Sequence, residues 1–235
     1  MHPKQLFLCL VLSLFFIGVK KTSAQKAEKD FQLWSNLEVE APINKRWMIH
    51  LQHQSRFVNN ATQYGYSYFD AGGLYRISKN LRFTFNYIFA DKKRTDPSFS
   101  YRHQFEGYFT YRKKVGNFVF FDRLLSDMQF KDYNDDPQGN HLRDFYIRNK
   151  VTMRYKLPHK ITPYIAAEAY YKLDGIYYER GYHGFNRIRL FYGILYNISE
   201  HWLAEVSLTN EFNHDAIIPT NNTFLSFGLV KTFFQ

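Results

Sequence analysis

From residue 31 onward, apolar and polar side chains alternate with a period of two, and there is almost no helical period. Phe31–Ala41 sets Leu33, Leu37 and Val39 against Trp34, Asn36, Glu38 and Glu40. Leu81–Ala90 sets Leu81, Phe83, Phe85, Tyr87 and Phe89 against Arg82, Thr84 and Asn86. The same division runs through Phe99–Arg112, Phe145–Leu157 and Trp202–Phe212. Further strands are predicted at 47–57, 64–77, 117–130, 161–173, 185–198 and 223–234. These segments are longer than ordinary strands and have the length of tilted strands that cross a bilayer.

The connections divide into two kinds. Pro42–Arg46, Ser78–Asn80, Lys113–Gly116, Pro158–Lys160 and Ser199–His201 are short. Val58–Gln63, Asp91–Ser98, Lys131–His141, Asp174–Gly184 and His214–Asn222 are longer. Tight turns at one rim and long polar loops at the other are the habit of outer-membrane barrels. A soluble β-sandwich has no reason to alternate in this way. Rings cluster near the short-turn rim of the apolar faces, at Trp47, Tyr155, Tyr196, Trp202 and Phe233, as an aromatic girdle would. The chain ends in an aromatic strand, SFGLVKTFFQ, of the kind read by the outer-membrane insertion machinery, although Gln235 follows the final Phe.

The predicted fold is therefore all-β: an antiparallel, transmembrane, up-and-down β-barrel over residues 31–235. Eleven segments conflict with the even count of bacterial barrels, so ten or twelve strands are expected. Residues 31–41 are then the segment whose span is in question, and 25–30 is a short N-terminal stretch with no strand character.

Composition agrees. Phe and Tyr number 24 and 19, yet the mean hydropathy is −0.45. So many rings exclude disorder, and the lack of a long apolar run after the first twenty residues excludes a multi-helix membrane protein. Residues 1–24 carry Lys4, an apolar stretch from Leu6 to Val19, and Thr22 and Ala24 before a cut at Gln25. That is the layout of a cleaved secretory signal peptide. The single cysteine, Cys9, falls inside it, which excludes a disulfide scaffold. Loss of Lys4, Lys20 and Lys21 lowers the formal charge from +10 to about +7. The remaining charges are interleaved with acids and form no basic block, so nucleic acid is not an expected partner.

Three stretches carry a family resemblance: YRHQFEGYFTYRKKVGNFVFFDRLLSD (101–127), RDFYIRNKVTMRYKL (143–157) and FNRIRLFYGILYNISEHWLAEVSLTNEFN (185–213). They resemble a domain-of-unknown-function family of outer-membrane β-barrels from Bacteroidota, over about half the chain. One motif of that family departs here, reading Arg102-His103-Gln104, whereas its Arg-x-x-x-Glu/Asp motif is kept as Arg123 and Asp127. The resemblance implies a fold and a place in the outer membrane of a Gram-negative bacterium, and no chemistry.

The polar faces place Arg56, Arg76, Arg82, Arg102, Arg112, Arg123, Arg148, Lys150, Arg154, Lys156, Lys172, Arg187 and Arg189 in the lumen. The acids there are Glu38, Glu40, Asp70, Glu106, Asp127, Asp144, Glu168, Glu205 and Glu211. A hairpin centred between Lys114 and Val115 would set Arg102 opposite Asp127 and Glu106 opposite Arg123. Hairpins centred at residues 159 and 200 would set Lys150 opposite Glu168 and Arg189 beside Glu211. The expected lumen is laced by cross-strand ion pairs, since charges in a narrow barrel need partners. His103, Asp122, Asn149, Asn210 and Lys231 break the apolar face, and Asp122 is the most costly there.

Chemistry is sparse. There is no G-x-S-x-G, HExxH, CxxC or phosphate loop. Asp132–Asp136 opens like a calcium loop, but Pro137 and Arg143 stand where Gly and Glu belong. His50 opposite Glu38 or Glu40 is the one interior His–carboxylate pair. The expectation is a non-enzymatic protein without cofactor or metal, either a narrow pore for small solutes or a structural membrane scaffold. Its partners would be outer-membrane lipid, the insertion machinery and, for a pore, a small solute. The alternatives are a barrel enzyme acting on lipid or envelope polymer and a soluble periplasmic ligand-binding barrel.

Overall fold

The computed structural model describes residues 28–93, 98–132, 143–158, 160–173, 184–213 and 219–233. The predicted signal peptide, the Asp132–Asp136 motif beyond its first residue, and Gln235 lie outside the described residues. Eleven strands follow in chain order: β1 (Glu28–Pro42), β2 (Trp47–Val58), β3 (Gln63–Arg76), β4 (Leu81–Lys93), β5 (Phe99–Val115), β6 (Phe118–Lys131), β7 (Arg143–Tyr155), β8 (Ile161–Lys172), β9 (Gly184–Asn197), β10 (Trp202–Asn213) and β11 (Thr220–Thr232). Each pairs with its neighbours in sequence, and β1 pairs with β11 to close a barrel.

The count of ten or twelve is corrected to eleven. The 31–41 segment forms a full strand that begins earlier, at Glu28, and takes part in closure. Closure with an odd number is possible because β1 runs parallel to β11, in unbroken register from Glu28↔Thr220 to Glu40↔Thr232. Parallel pairing satisfies both strand edges without a twelfth strand.

Side chains sort as the alternation requires. Phe69, Phe85, Phe109, Leu124, Ile165, Tyr192 and Phe227 are exposed on the outer wall. Asn86, Thr84, Thr209 and Phe224, from the opposite set, are almost fully buried. A water-soluble surface seldom carries so continuous an apolar belt.

Three of the short turns share one local design. Asn44, Ser78 and Ser199 each follow an Ile and turn a side-chain oxygen back onto the backbone. Asn44 Oδ1 accepts from Arg46 and Trp47, Ser78 Oγ from Asn80 and Leu81, and Ser199 Oγ from His201. Such side-chain caps replace the hydrogen bonds that the strand loses where it reverses. The β5–β6 connection differs: Val115 pairs with Phe118, so the turn is only Gly116-Asn117, with Gly116 at φ 59°. A left-handed first position is what a two-residue hairpin demands and glycine supplies it cheaply. The β2–β3 connection spans only residues 59–62, so the division into short and long loops is less strict than expected.

Gly72 marks a place where the wall admits no side chain. A Cβ there would lie 2.5 Å from the Phe85 carbonyl oxygen and would also overlap the Asn86 amide. Asn86 in turn donates to Asp70 at 2.9 Å. Gly72→Ala is expected to cost about 1–3 kcal/mol through this overpacking. Urea unfolding checks it, and an unchanged midpoint would mean that β4 moves aside freely.

Candidate functional site

The lumen is the candidate site, because the inward faces gather nearly all of the chain's interior charge. Its register decides which charges meet. Because the β5–β6 turn is Gly116-Asn117, partners there are displaced by four residues from the expected hairpin. An even displacement keeps every side chain on its face but changes every partner.

Arg102 therefore lies opposite Lys131, not Asp127, and its guanidinium donates to Gln129 Oε1 at 3.3 Å. Glu106 lies opposite Asp127, and Arg123 opposite Thr110 and Lys150. The two carboxylates are held together by a residue absent from the expected pairs. Arg148 Nη1 lies 3.0 Å from Glu106 Oε1 and 3.5 Å from Asp127 Oδ2. Gln104 also donates to Glu106, at 2.7 Å.

The other two hairpins place their residues where the sequence put them, with one change of partner. Lys150 is opposite Glu168. Glu168, however, is engaged by Arg148 Nη2 at 2.9 Å and by Arg189 Nη1 at 4.0 Å, while Lys150 Nζ sits 3.7 Å from the centre of the Phe191 ring. Arg189 is opposite Glu211, and its Nε donates to Glu211 Oε2 at 2.6 Å. The result is an alternating charge chain from Glu106 through Arg148, Glu168 and Arg189 to Glu211 along β5–β10. Arg148 was legible in principle, because it stands diagonal to Glu168 on the inward face of β7.

A ring stack fills the same level from the other side. Trp34 and Phe224 stack with centroids 4.2 Å apart. Arg56 lies 3.9 Å above the Trp34 ring and 4.6 Å from Tyr66. Arg189 reaches 5.6 Å from Trp34, which joins the charge chain to the stack across the seam. Guanidinium over an aromatic face keeps its charge while losing water. Trp34 is 7% exposed, Tyr170 5% and Phe224 1%, so solvent hardly reaches these three rings.

Near the short-turn end, His50 Nδ1 lies 3.5 Å from Glu38 Oε1 and Nε2 lies 3.6 Å from Asp70 Oδ2. One donor atom each from Glu38, Glu40 and His50 fall within 4.8 Å of one another, a spacing that could hold a divalent cation. Tyr164 donates to Glu205 beside a small apolar cluster of Tyr164, Ala166 and Leu195.

The polar residues of the outer wall are paired. Tyr87 and His103 share a hydrogen bond of 2.6 Å, Asn149 donates to Asp122 at 2.7 Å, and Thr223 donates to Asn210 at 3.2 Å. Lys231 lies 4.6 Å over Trp202. Asp122, the costliest of the set, thus keeps its place on the outer face without a bulge.

A family model described as "Protein of unknown function (DUF2490)" matches residues 31–222. The chain belongs to this family. The match takes in β1 to the start of β11, well beyond the stretches that carried the resemblance. No curated protein matches this DUF2490 chain in sequence. Two solved structures are similar in fold. One is a bacterial polysaccharide outer membrane secretin, at TM-score 0.51 and 13% identity, covering 80% of this chain and 63% of that one. The other is the NanC porin, at TM-score 0.50 and 10% identity, covering 83% of this chain and 93% of that one. The DUF2490 chain thus spans less than two thirds of the secretin's length. At these identities the likeness is one of barrel architecture.

Proposed function

We propose that this DUF2490 protein is an outer-membrane β-barrel whose lumen is closed by its own side chains. It acts as a membrane-embedded scaffold, without catalysis, rather than as an open pore. Support for the membrane comes from the apolar outer wall, the ring-rich rims and the barrel fold shared with an outer-membrane secretin and a porin. The closed lumen rests on one observation. At the level of the ring stack, Trp34, Phe224 and Arg189 are nearly dry, and the partly exposed Arg56 lies over the Trp34 ring and fills the space beside them. Side chains lining a water-filled path stay wet, because an open lumen leaves polar groups solvated.

Two measurements test the reading. Detergent-solubilised protein should change its gel mobility on boiling and fractionate with outer membranes; a soluble fraction would defeat the membrane assignment. In planar bilayers the protein should give no discrete current steps. Regular steps would replace the scaffold by a pore.

A further inference from the structure

Charge in the lumen is segregated along the barrel axis. Among the described residues, every Lys or Arg ion pair within 4 Å of a lumen carboxylate lies in the half nearer the long loops, at Asp144, Arg148, Arg187 and Arg189. The half nearer the short turns holds Arg76, Arg82, Arg112, Arg123, Lys150 and Arg154. None of these six has a carboxylate within 4 Å among the described residues. The carboxylates in this half are fewer and otherwise engaged: Glu38 and Asp70 flank His50, Glu205 accepts from Tyr164, and Glu40 remains.

The register makes this excess costly. Arg76 lies directly opposite Arg82, and Arg123 directly opposite Lys150. Like charges directly opposite each other destabilise a sheet. Aromatic faces hold three of the cations in place without neutralising them: Tyr108 under Arg123 at 4.8 Å, Phe121 under Arg154 at 4.6 Å and Phe191 under Lys150. Arg154 Nε is buried with no hydrogen-bond partner. Yet Arg82, Arg112, Arg123, Lys150 and Arg154 are all partly solvent-accessible, unlike the buried Glu106, Glu168 and Glu211 of the layer above.

We infer that the short-turn half of the lumen is a chamber for a soluble, multiply charged oxyanion, of the phosphate or polycarboxylate class. A low-dielectric wall with an excess of positive charge concentrates anions, and guanidinium forks match oxyanion geometry. The closed layer above makes the chamber a dead end, entered from the short-turn rim. The inference is independent of conductance, since an open barrel with the same wall would bind the same anion.

The test is calorimetric titration of the full chain in zwitterionic detergent with inorganic phosphate, and separately with citrate, against chloride at matched ionic strength. Saturable binding is expected for both. Arg82→Gln/Arg123→Gln and Arg112→Gln/Arg154→Gln should each weaken it at least tenfold, while Lys231→Gln on the outer wall leaves it unchanged. Both variants should remain folded by gel mobility, and without phosphate Arg82→Gln/Arg123→Gln should resist heat at least as well as the parent, because two directly opposed like-charge pairs are relieved. Adding anionic phospholipid to the micelles should not compete. Absence of saturable binding, equal loss in Lys231→Gln, or displacement of phosphate by the lipid would overturn the proposal.

Discussion

Arg148→Ala is expected to lower the stability of the folded barrel by about 3–5 kcal/mol, the cost of stranding buried charge. The guanidinium is the shared counter-ion of Glu106, Asp127 and Glu168. Two of these face each other directly across β5 and β6, so its removal leaves adjacent carboxylates with no cation between them. Arg148→Lys should recover only part of the loss, because a single ammonium cannot reach three carboxylates as a planar fork does. Adding Glu106→Gln to Arg148→Ala should recover more, by removing one of the stranded charges. Urea midpoints followed by gel mobility measure the series. A loss below about 1 kcal/mol for Arg148→Ala would show that water, not Arg148, solvates the carboxylates.

The second large effect concerns closure. Trp34→Ala with Phe224→Ala should give discrete conductance steps where the parent protein is expected to give none. The two rings form the stack against which Arg56 and Arg189 rest, and both come from the strands of the parallel seam. Without them each guanidinium loses its aromatic face on this side, while Glu211 still holds Arg189 and Tyr66 still flanks Arg56, and water fills the vacated space. The variant must first be shown folded by its mobility before boiling. A folded variant that stays silent would place the closure at another level of the lumen.

How much of this was legible in the sequence follows from which forces are local. Facing is local, since period-two alternation fixes which side of the wall each residue takes. The inward set from Trp34 to Glu211 could therefore be read without coordinates. Partnering depends on turn geometry. For Lys150–Glu168 and Arg189–Glu211 the turns are regular and the register followed from their centres. For β5–β6 the residues Lys113–Gly116 looked like loop, yet the lysines continue the strand and only Gly116-Asn117 turns. The positive φ that glycine permits was the available signal. The diagonal contact of Arg148 with Glu168 can be read from the register, but its contact with Glu106 passes over β6, and long side chains in a curved wall meet partners that flat pairing omits. Eleven segments were legible in the alternation, but the parallel seam that lets an odd number close was not. Nothing local distinguishes a strand that pairs in parallel from one that pairs antiparallel.

That parallel junction also sets the order of assembly. Every other strand meets a partner adjacent in the chain, so ten hairpin-like pairings can form as the polypeptide arrives. The β1–β11 contact joins the two ends of the domain and cannot zip until the last strand is in place. Until then one edge of β1 has no partner, which makes it a template for any foreign strand and, on the membrane assignment proposed above, an expensive state in hydrocarbon. Parallel bonds are also slightly weaker per residue. The latest joint to close is thus the first to breathe, and it is there that a helper holding the nascent cylinder would have to grip.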